Sequence, residues 1–352
     1  MSEPVKMLYL PKTMSNWPWP RKINLHYEEV SAESNAWFHG FKTLTKHSQD
    51  AFDKCDVGRL ASLTYPSALH QEHLRTGCDL MNLFFVIDEY TDVESASVVR
   101  EMVDVVIDAL NNPHKERPEE EIVLGQVAKE FWELAITNAS LASQKHFIES
   151  FTDHVNSIVL QAEDRDNNKI CTIDEYLETR RENVGARPSF FIGELHLNLP
   201  DQAFYHPTVK EQEYLIADLL VLDNDIVSFN REQATGDVRH NILTIFMHQF
   251  SIDFDGAMKW VCEYHAEIEA KFLDIVKKVP SFGPEVDGEL AEYIESIANS
   301  PRGNYCWSFE GGQYFGKRGF EIQTTRLVPL MPKIQRDTNL KTDHVVVSLV
   351  EL

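Results

Sequence analysis

Apolar residues recur at intervals of three and four along almost the whole chain after Tyr27. The runs cover 28–43, 47–65, 68–92, 94–112, 119–139, 140–164, 172–185, 188–198, 207–233, 241–250, 253–279 and 286–299. That spacing puts them on one face of a helix turning once every ~3.6 residues, and no segment shows the period-two alternation of a half-buried strand. Between the runs stand Pro66, Pro113, Pro188, Pro207, Pro280, Pro284, Pro301 and Gly303. A proline has no N–H to donate and its ring crowds the preceding turn, so these positions mark helix boundaries. The expectation is an all-α fold, one domain of about a dozen helices over residues 27–332.

Residues 1–26 carry Pro4, Pro11, Pro18 and Pro20 with Trp17 and Trp19. No helix tolerates that spacing, so an extended arm packed on the body by its tryptophans is expected. Residues 333–352 are read as a C-terminal tail, and the acidic stretches Glu116 to Glu121 and Glu163 to Asp166 as solvated loops.

The 352 residues hold 33 Lys and Arg against 56 Asp and Glu, a net charge of −23. Nucleic acid and anionic lipid repel such a chain, which excludes both as partners. The five cysteines are odd in number and contain no CxxC pair, which excludes a disulfide framework and a zinc cluster. The first residues lack a signal-peptide layout, and apolar stretches such as Leu83 to Ile87 fall far below the ~18 residues that cross a bilayer. A cytoplasmic protein without stable membrane insertion is expected. No pattern indicates an oligomeric state.

Two helical stripes carry oxygen ligands. Asp88 and Asp92 stand at i and i+4, and Phe84 continues their face one turn earlier. Farther on, Asn224, Ser228 and Glu232 stack an amide oxygen, a hydroxyl and a carboxylate along one face. Such a donor set suits a hard cation that keeps some waters and meets a phosphate, the habit of Mg²⁺. Asn, Ser and Glu at these offsets occur by chance on the order of 0.1 times in a chain of this length.

Together these stripes resemble the metal-binding motifs of class I terpene cyclases: Asp88-Glu89-Tyr90-Thr91-Asp92 matches D-D/E-x-x-D, and Asn224, Asp225, Ser228 and Glu232 match N-D-x-x-S-x-x-x-E. Arg181-Glu182-Asn183-Val184-Gly185 resembles the diphosphate sensor followed by the helix break, and Trp307 to Glu310 with Tyr314-Phe315-Gly316 resembles the closing C-terminal segment. Asn16 to Arg21, Cys78 to Asn82 and Asn111 to Lys115 look like sesquiterpene synthases of mushroom-forming fungi, nearest the Δ6-protoilludene synthase clade. The family's Arg-Tyr pair is here Gln313-Tyr314, which removes a cation; Arg231, Lys317 and Arg318 are the candidates to replace it.

The resemblance implies a class I helical bundle around a central cavity, three Mg²⁺ ions, and farnesyl diphosphate as substrate, closed 1,11 toward Δ6-protoilludene. It implies Asp88, Asn224, Ser228 and Glu232 as metal ligands, with Glu89 and Asp92 acting through waters or arginine pairs. Arg181, Arg231, Gln313 and Tyr314 would hold diphosphate, Gly185 would free a carbonyl at the helix break, and Phe84 and Trp307 would wall the cation, with Phe85, Phe190 and Phe191 as further aromatic candidates. Two alternatives stay open: a non-catalytic or weakly active isoprenoid-binding helical protein, and a prenyl chain-elongating synthase, which normally carries two aspartate-rich motifs.

Overall fold

Side-chain caps fix where many of the helices start. Thr45, Asp56, Ser140, Asn241 and Asp253 each accept a hydrogen bond from a backbone N–H of the following first turn, and Thr172 with Glu175 forms a reciprocal capping box. The computed structural model describes residues 6–68, 70–236 and 238–333. Its helices are α1 (Tyr27–Gly40), α2 (Lys46–Lys54), α3 (Val57–Thr64), α4 (Gln71–Thr91), α5 (Ala96–Asn111), α6 (Leu124–Ala135), α7 (Leu141–Asp166) and α8 (Ile173–Asn183). Three single turns follow, α9 (Ala186–Ser189), α10 (Phe191–Glu194) and α11 (Asp201–Phe204), then α12 (Pro207–Thr235), α13 (Ile242–Phe250), α14 (Phe254–Ile275), α15 (Pro284–Glu310) and α16 (Gly319–Thr325).

The fold is the expected all-α bundle, with one continuous apolar core. Helix α12 packs on α8, α9, α13, α14 and α15, whereas α4 packs on α1, α3, α6 and α10. The two motif-bearing helices therefore belong to different sides of the bundle. Among the described residues no helix is long and apolar enough to cross a membrane.

Five local expectations change. Residues 7–9 form strand β1 (Met7–Tyr9), paired antiparallel with β2 (Leu327–Pro329). The run 188–198 is broken into the short turns α9 and α10, and 47–65 is interrupted at Asp56, which takes a left-handed φ of 51°. The acidic segment 163–166 is the last turn of α7, not a loop. Helix α15 continues through Pro301 to Glu310 instead of stopping there. The arm is fastened to this stretch: the indole N–H of Trp17 donates to the Ala298 carbonyl at 2.9 Å, and Arg302 binds the carbonyls of Met14, Trp17 and Trp19. Arm carbonyls and one carbonyl of the turn before Pro301 thus find partners across the two segments. Trp17 is 3% exposed, against Trp19 and Phe272. Residues 1–5 of the arm and 334–352 of the tail lie outside the described residues.

Gly303 lets α15 approach α3. A Cβ there would stand 2.8 Å from the backbone of Leu63 and Thr64. Gly288, exposed on the same helix, has nothing within 4 Å of its missing Cβ. Gly303→Ala is expected to destabilise the fold by ~1–3 kcal/mol through overpacking, while Gly288→Ala gains up to ~1 kcal/mol of helix propensity. Paired urea melts check both signs.

A buried imidazole joins α14 to α12. His265 Nε2 lies 3.5 Å from Asp223 Oδ1 and Nδ1 lies 3.2 Å from Glu269 Oε1, ion-pair distances without ideal hydrogen-bond directions. Thr13 of the arm donates to the same Asp223. Burial alone would lower the imidazole's pKa, but the Asp223 and Glu269 carboxylates outweigh it and raise it to about 9. A raised folded pKa gives stability that is full below the unfolded value near ~6.5 and is lost as pH climbs through the folded value. The melting temperature is expected to fall between pH ~6.5 and ~9 by less in His265→Gln than in the parent.

Candidate active site

The C-terminal turns of α4 present the first carboxylates. Asp88 is solvent-accessible yet closely surrounded by protein, the arrangement of a side chain lining a recess. Burial and then the Glu89 charge push its carboxyl up, and Arg180, Arg231 and Arg165 pull it down. Glu89 is raised to about 7 by burial and by Asp92, against Arg231. The turn is anchored by Arg165 from the end of α7, whose Nη2 donates to the carbonyls of Thr91 and Glu94 at 3.1 and 2.6 Å. Thr91 is the last residue of α4, so the guanidinium also meets the negative end of the helix dipole.

Helix α12 supplies the second set. Asn224 Nδ2 donates to the Tyr314 hydroxyl at 2.8 Å, and its Oδ1 accepts from Arg180 Nη2 at 3.2 Å. Glu232 accepts from Asn241 Nδ2 at 2.9 Å, and the same amide lies 3.5 Å from Ser228 Oγ. Burial pushes Glu232 up to about 7, Asp225 adds to the push, and Ser228, Asn241 and Arg180 oppose it. Asp225 turns away from the stripe and accepts from the Tyr176 hydroxyl and the Ile242 N–H, both at 2.7 Å. It thereby holds α8 and the start of α13 against α12.

Tyr314 connects the two sets electrostatically, since Glu232, Asp88 and Arg231 all act on its hydroxyl. Behind it, Trp307 contacts Tyr314 edge-on at 5.7 Å, contacts Phe85 at 5.7 Å, and donates its N–H to Cys55 O at 2.7 Å. Phe84 is half-buried, stacked on Phe151 at 5.7 Å and directed to Gly185 at the end of α8. A Cβ on Gly185 would sit 3.6 Å from Phe84 Cζ, which is ordinary contact, so what demands glycine there is the φ of +71°.

The family profile described as "Terpene synthase family 2, C-terminal metal binding" matches residues 79–271, more than half of the chain. Sesquiterpene synthase 14 of Postia placenta is 66% identical over 352 residues, 100% of both chains. The chain belongs to the terpene synthase family. Delta(6)-protoilludene synthase 18 of Postia placenta is 54% identical, covering 99% of both chains, and the Delta(6)-protoilludene synthase of Armillaria gallica is 47% identical, covering 93% of this chain and 94% of that one. The solved structure of an α-eudesmol synthase superposes with a TM-score of 0.76 at 21% identity, over 84% of this chain and 98% of that one. It speaks for the terpene synthase fold alone.

Within this family frame, the geometry redistributes several expected roles. Arg181 does not reach the stripe: it is bound bidentately to Asp218 at 2.7 and 2.9 Å, beside Tyr214. Arg180 does reach it, buried against Asn224 and Asp225, with Nη1 on Asn183. Neighbours on a helix diverge by about 100°, so only one of two adjacent arginines can face a given site, and spacing alone did not say which. Trp307 is 2% exposed and packs edge-on against Tyr314, which it supports. Phe191 packs on Phe147 and Trp132, in core, and Phe190 borders a small polar recess with His146 and Glu194 away from the motifs.

Among the cations near Gln313, Lys317 is exposed and Arg318 forks onto Glu321 at 3.0 Å, whereas Arg231 acts on Asp88, Glu89 and Tyr314. The Gln313 Oε1 atom is buried without a partner. Sequence reasoning missed Arg180, Arg165 and Asn241. Of these only Asn241 had a usable signal, a capping residue just before the run 241–250.

Among the described residues no cluster of three or more His, Cys, Asp or Glu is spaced for a metal ion. The site residues nevertheless fit a hard divalent cation. Their donors are carboxylate, amide and hydroxyl oxygens, and burial holds Glu89 and Glu232 near neutrality. Arg180 Nε is buried without a hydrogen-bond partner, so the guanidinium keeps one unused donor. Arg180→Lys is expected to lower turnover by ~10²-fold or more, since a forked donor is lost where charge develops. Arg181→Lys is expected to change it by less than ~3-fold, because its partner Asp218 lies outside the site. Steady-state assay of both variants decides the assignment.

Proposed function

We propose that the chain is a Mg²⁺-dependent sesquiterpene synthase that ionises farnesyl diphosphate and cyclises it by 1,11-closure toward Δ6-protoilludene. The observation that carries this reading is the buried Arg180 guanidinium, set against Asn224 of the ligand stripe and acting on Asp88 of the opposite motif. One cation placed between two oxygen-ligand sets is what a leaving diphosphate needs. The protoilludene product rests on the names of the Postia and Armillaria relatives.

Asp88 on one side and Asn224, Ser228 and Glu232 on the other would hold Mg²⁺, which when bound supplies Lewis-acid stabilisation of the leaving diphosphate. Arg180 and Arg231 contribute fixed positive charge at the same place, and the Tyr314 hydroxyl gives a hydrogen bond without introducing a base. Phe84, one turn deeper on α4, offers a ring face that stabilises a cation and does not capture it. The second motif carries Asn, Ser and Glu where a chain-elongating synthase carries aspartates, which disfavours that alternative.

The test is incubation with farnesyl diphosphate, with Mg²⁺ and with a chelator, reading diphosphate release and hydrocarbon by gas chromatography. Mg²⁺-dependent release with a tricyclic hydrocarbon is expected. Binding without release would favour the isoprenoid-binding alternative. Glu232→Gln and Asn224→Ala are each expected to reduce turnover by ~10²-fold while helicity persists, because each removes one oxygen donor. A variant that unfolds instead would assign its residue to the fold.

A further inference from the structure

His154 lies on α7, 5% exposed, where no motif had pointed. Its Nδ1 is 3.0 Å from the Glu182 carbonyl, in the last turn of α8. A carbonyl only accepts, so the ring hydrogen sits on Nδ1. Burial, assisted by Arg180, pushes this imidazole's pKa down to about 4, against the Glu182 hydrogen bond, so the ring is neutral near pH ~7 and Nε2 bears a lone pair. Among the described residues Nε2 has no hydrogen-bond partner, and it is not one of the fully enclosed orphan atoms, so it opens onto accessible space.

That space borders the cation wall. The imidazole meets Phe84 edge-on at 5.0 Å and Phe151 at 5.8 Å. Both His154 Cε1 and Phe84 Cζ lie 3.6 Å from where a Cβ on Gly185 would stand. Phe84 precedes Asp88 by one turn, and the Glu182 carbonyl that His154 holds is two residues from Arg180, so this corner adjoins the diphosphate-binding groups on their Phe84 side.

We propose that His154 Nε2 accepts the proton that ends the carbocation cascade. The inference rests on the cyclase reading above. A C–H bond adjacent to the cationic carbon breaks and its electron pair becomes the second bond of the alkene. The proton passes to Nε2 and makes an imidazolium, which returns it to diphosphate or water when the site opens. No oxidant or reductant is required.

His154→Asn keeps an amide N–H for the Glu182 carbonyl and removes the basic nitrogen; His154→Gln puts an amide near the Nε2 position. Both full-length variants are incubated with farnesyl diphosphate and Mg²⁺, and every hydrocarbon and alcohol is quantified beside released diphosphate. The parent hydrocarbon's share of total product is expected to fall at least about tenfold, replaced by isomers deprotonated elsewhere or by alcohols, with diphosphate still released at a reduced rate. A folded variant that keeps that share within about twofold overturns the proposal, leaving His154 as a cap on α8. Nitrogen NMR of the unaltered protein tests it without any variant: an unprotonated Nε2 is expected, and a hydrogen on Nε2 overturns it. No diphosphate release from the unaltered protein would overturn the cyclase reading itself.

Discussion

The guanidinium of Arg180 is the interaction around which the site is organised. A buried charge without partners is penalised by several kcal/mol, so this side chain can be buried only where oxygens surround it. Asn183, Asn224 and Asp225 provide them. Asp225 in turn holds the Tyr176 hydroxyl and the Ile242 N–H, so one charge sets the register of α8, α12 and the start of α13 together. The same field reaches Asp88 on α4, with which α12 shares no principal packing face.

That network leaves an imbalance. Desolvation raises Asp88, Glu89 and Glu232, and the available arginines only partly offset it. On the proposed function, two arginines and these carboxylates form a site that becomes electrostatically complete when cations and an anion arrive together. Each of α4 and α12 is backed by other helices, α4 by α1 and α3 and α12 by α14 and α15. Support of α15 extends to the N-terminal arm, whose Trp17 donates to the Ala298 carbonyl, three residues before Pro301. The end of α15 then delivers Trp307, and through it Tyr314, to Asn224.

What the sequence determined by itself was the helical class and the chemistry of the two ligand stripes. Apolar periodicity is a local property, and so is the i, i+4, i+8 spacing that puts Asn224, Ser228 and Glu232 on one face; both need only the geometry of a single helix. Helix boundaries were less legible. Pro301 reads as a stop and is not one: α15 runs through it while packed on α3, α12 and the arm, all distant in sequence.

Tertiary structure alone decided which of two adjacent arginines faces the Asn224 stripe. Arg180 and Arg181 have the same charge and the same local helix, and they differ only in facing Asn224 or Asp218. It also decided that Trp307 stands behind Tyr314, that Arg231 rather than Lys317 or Arg318 acts on the carboxylates, and that His154 borders Phe84 and Gly185. Each of these is a relation between elements far apart in the chain. The rotation of one helix against another follows from the whole core's packing, and no local pattern of residues encodes it.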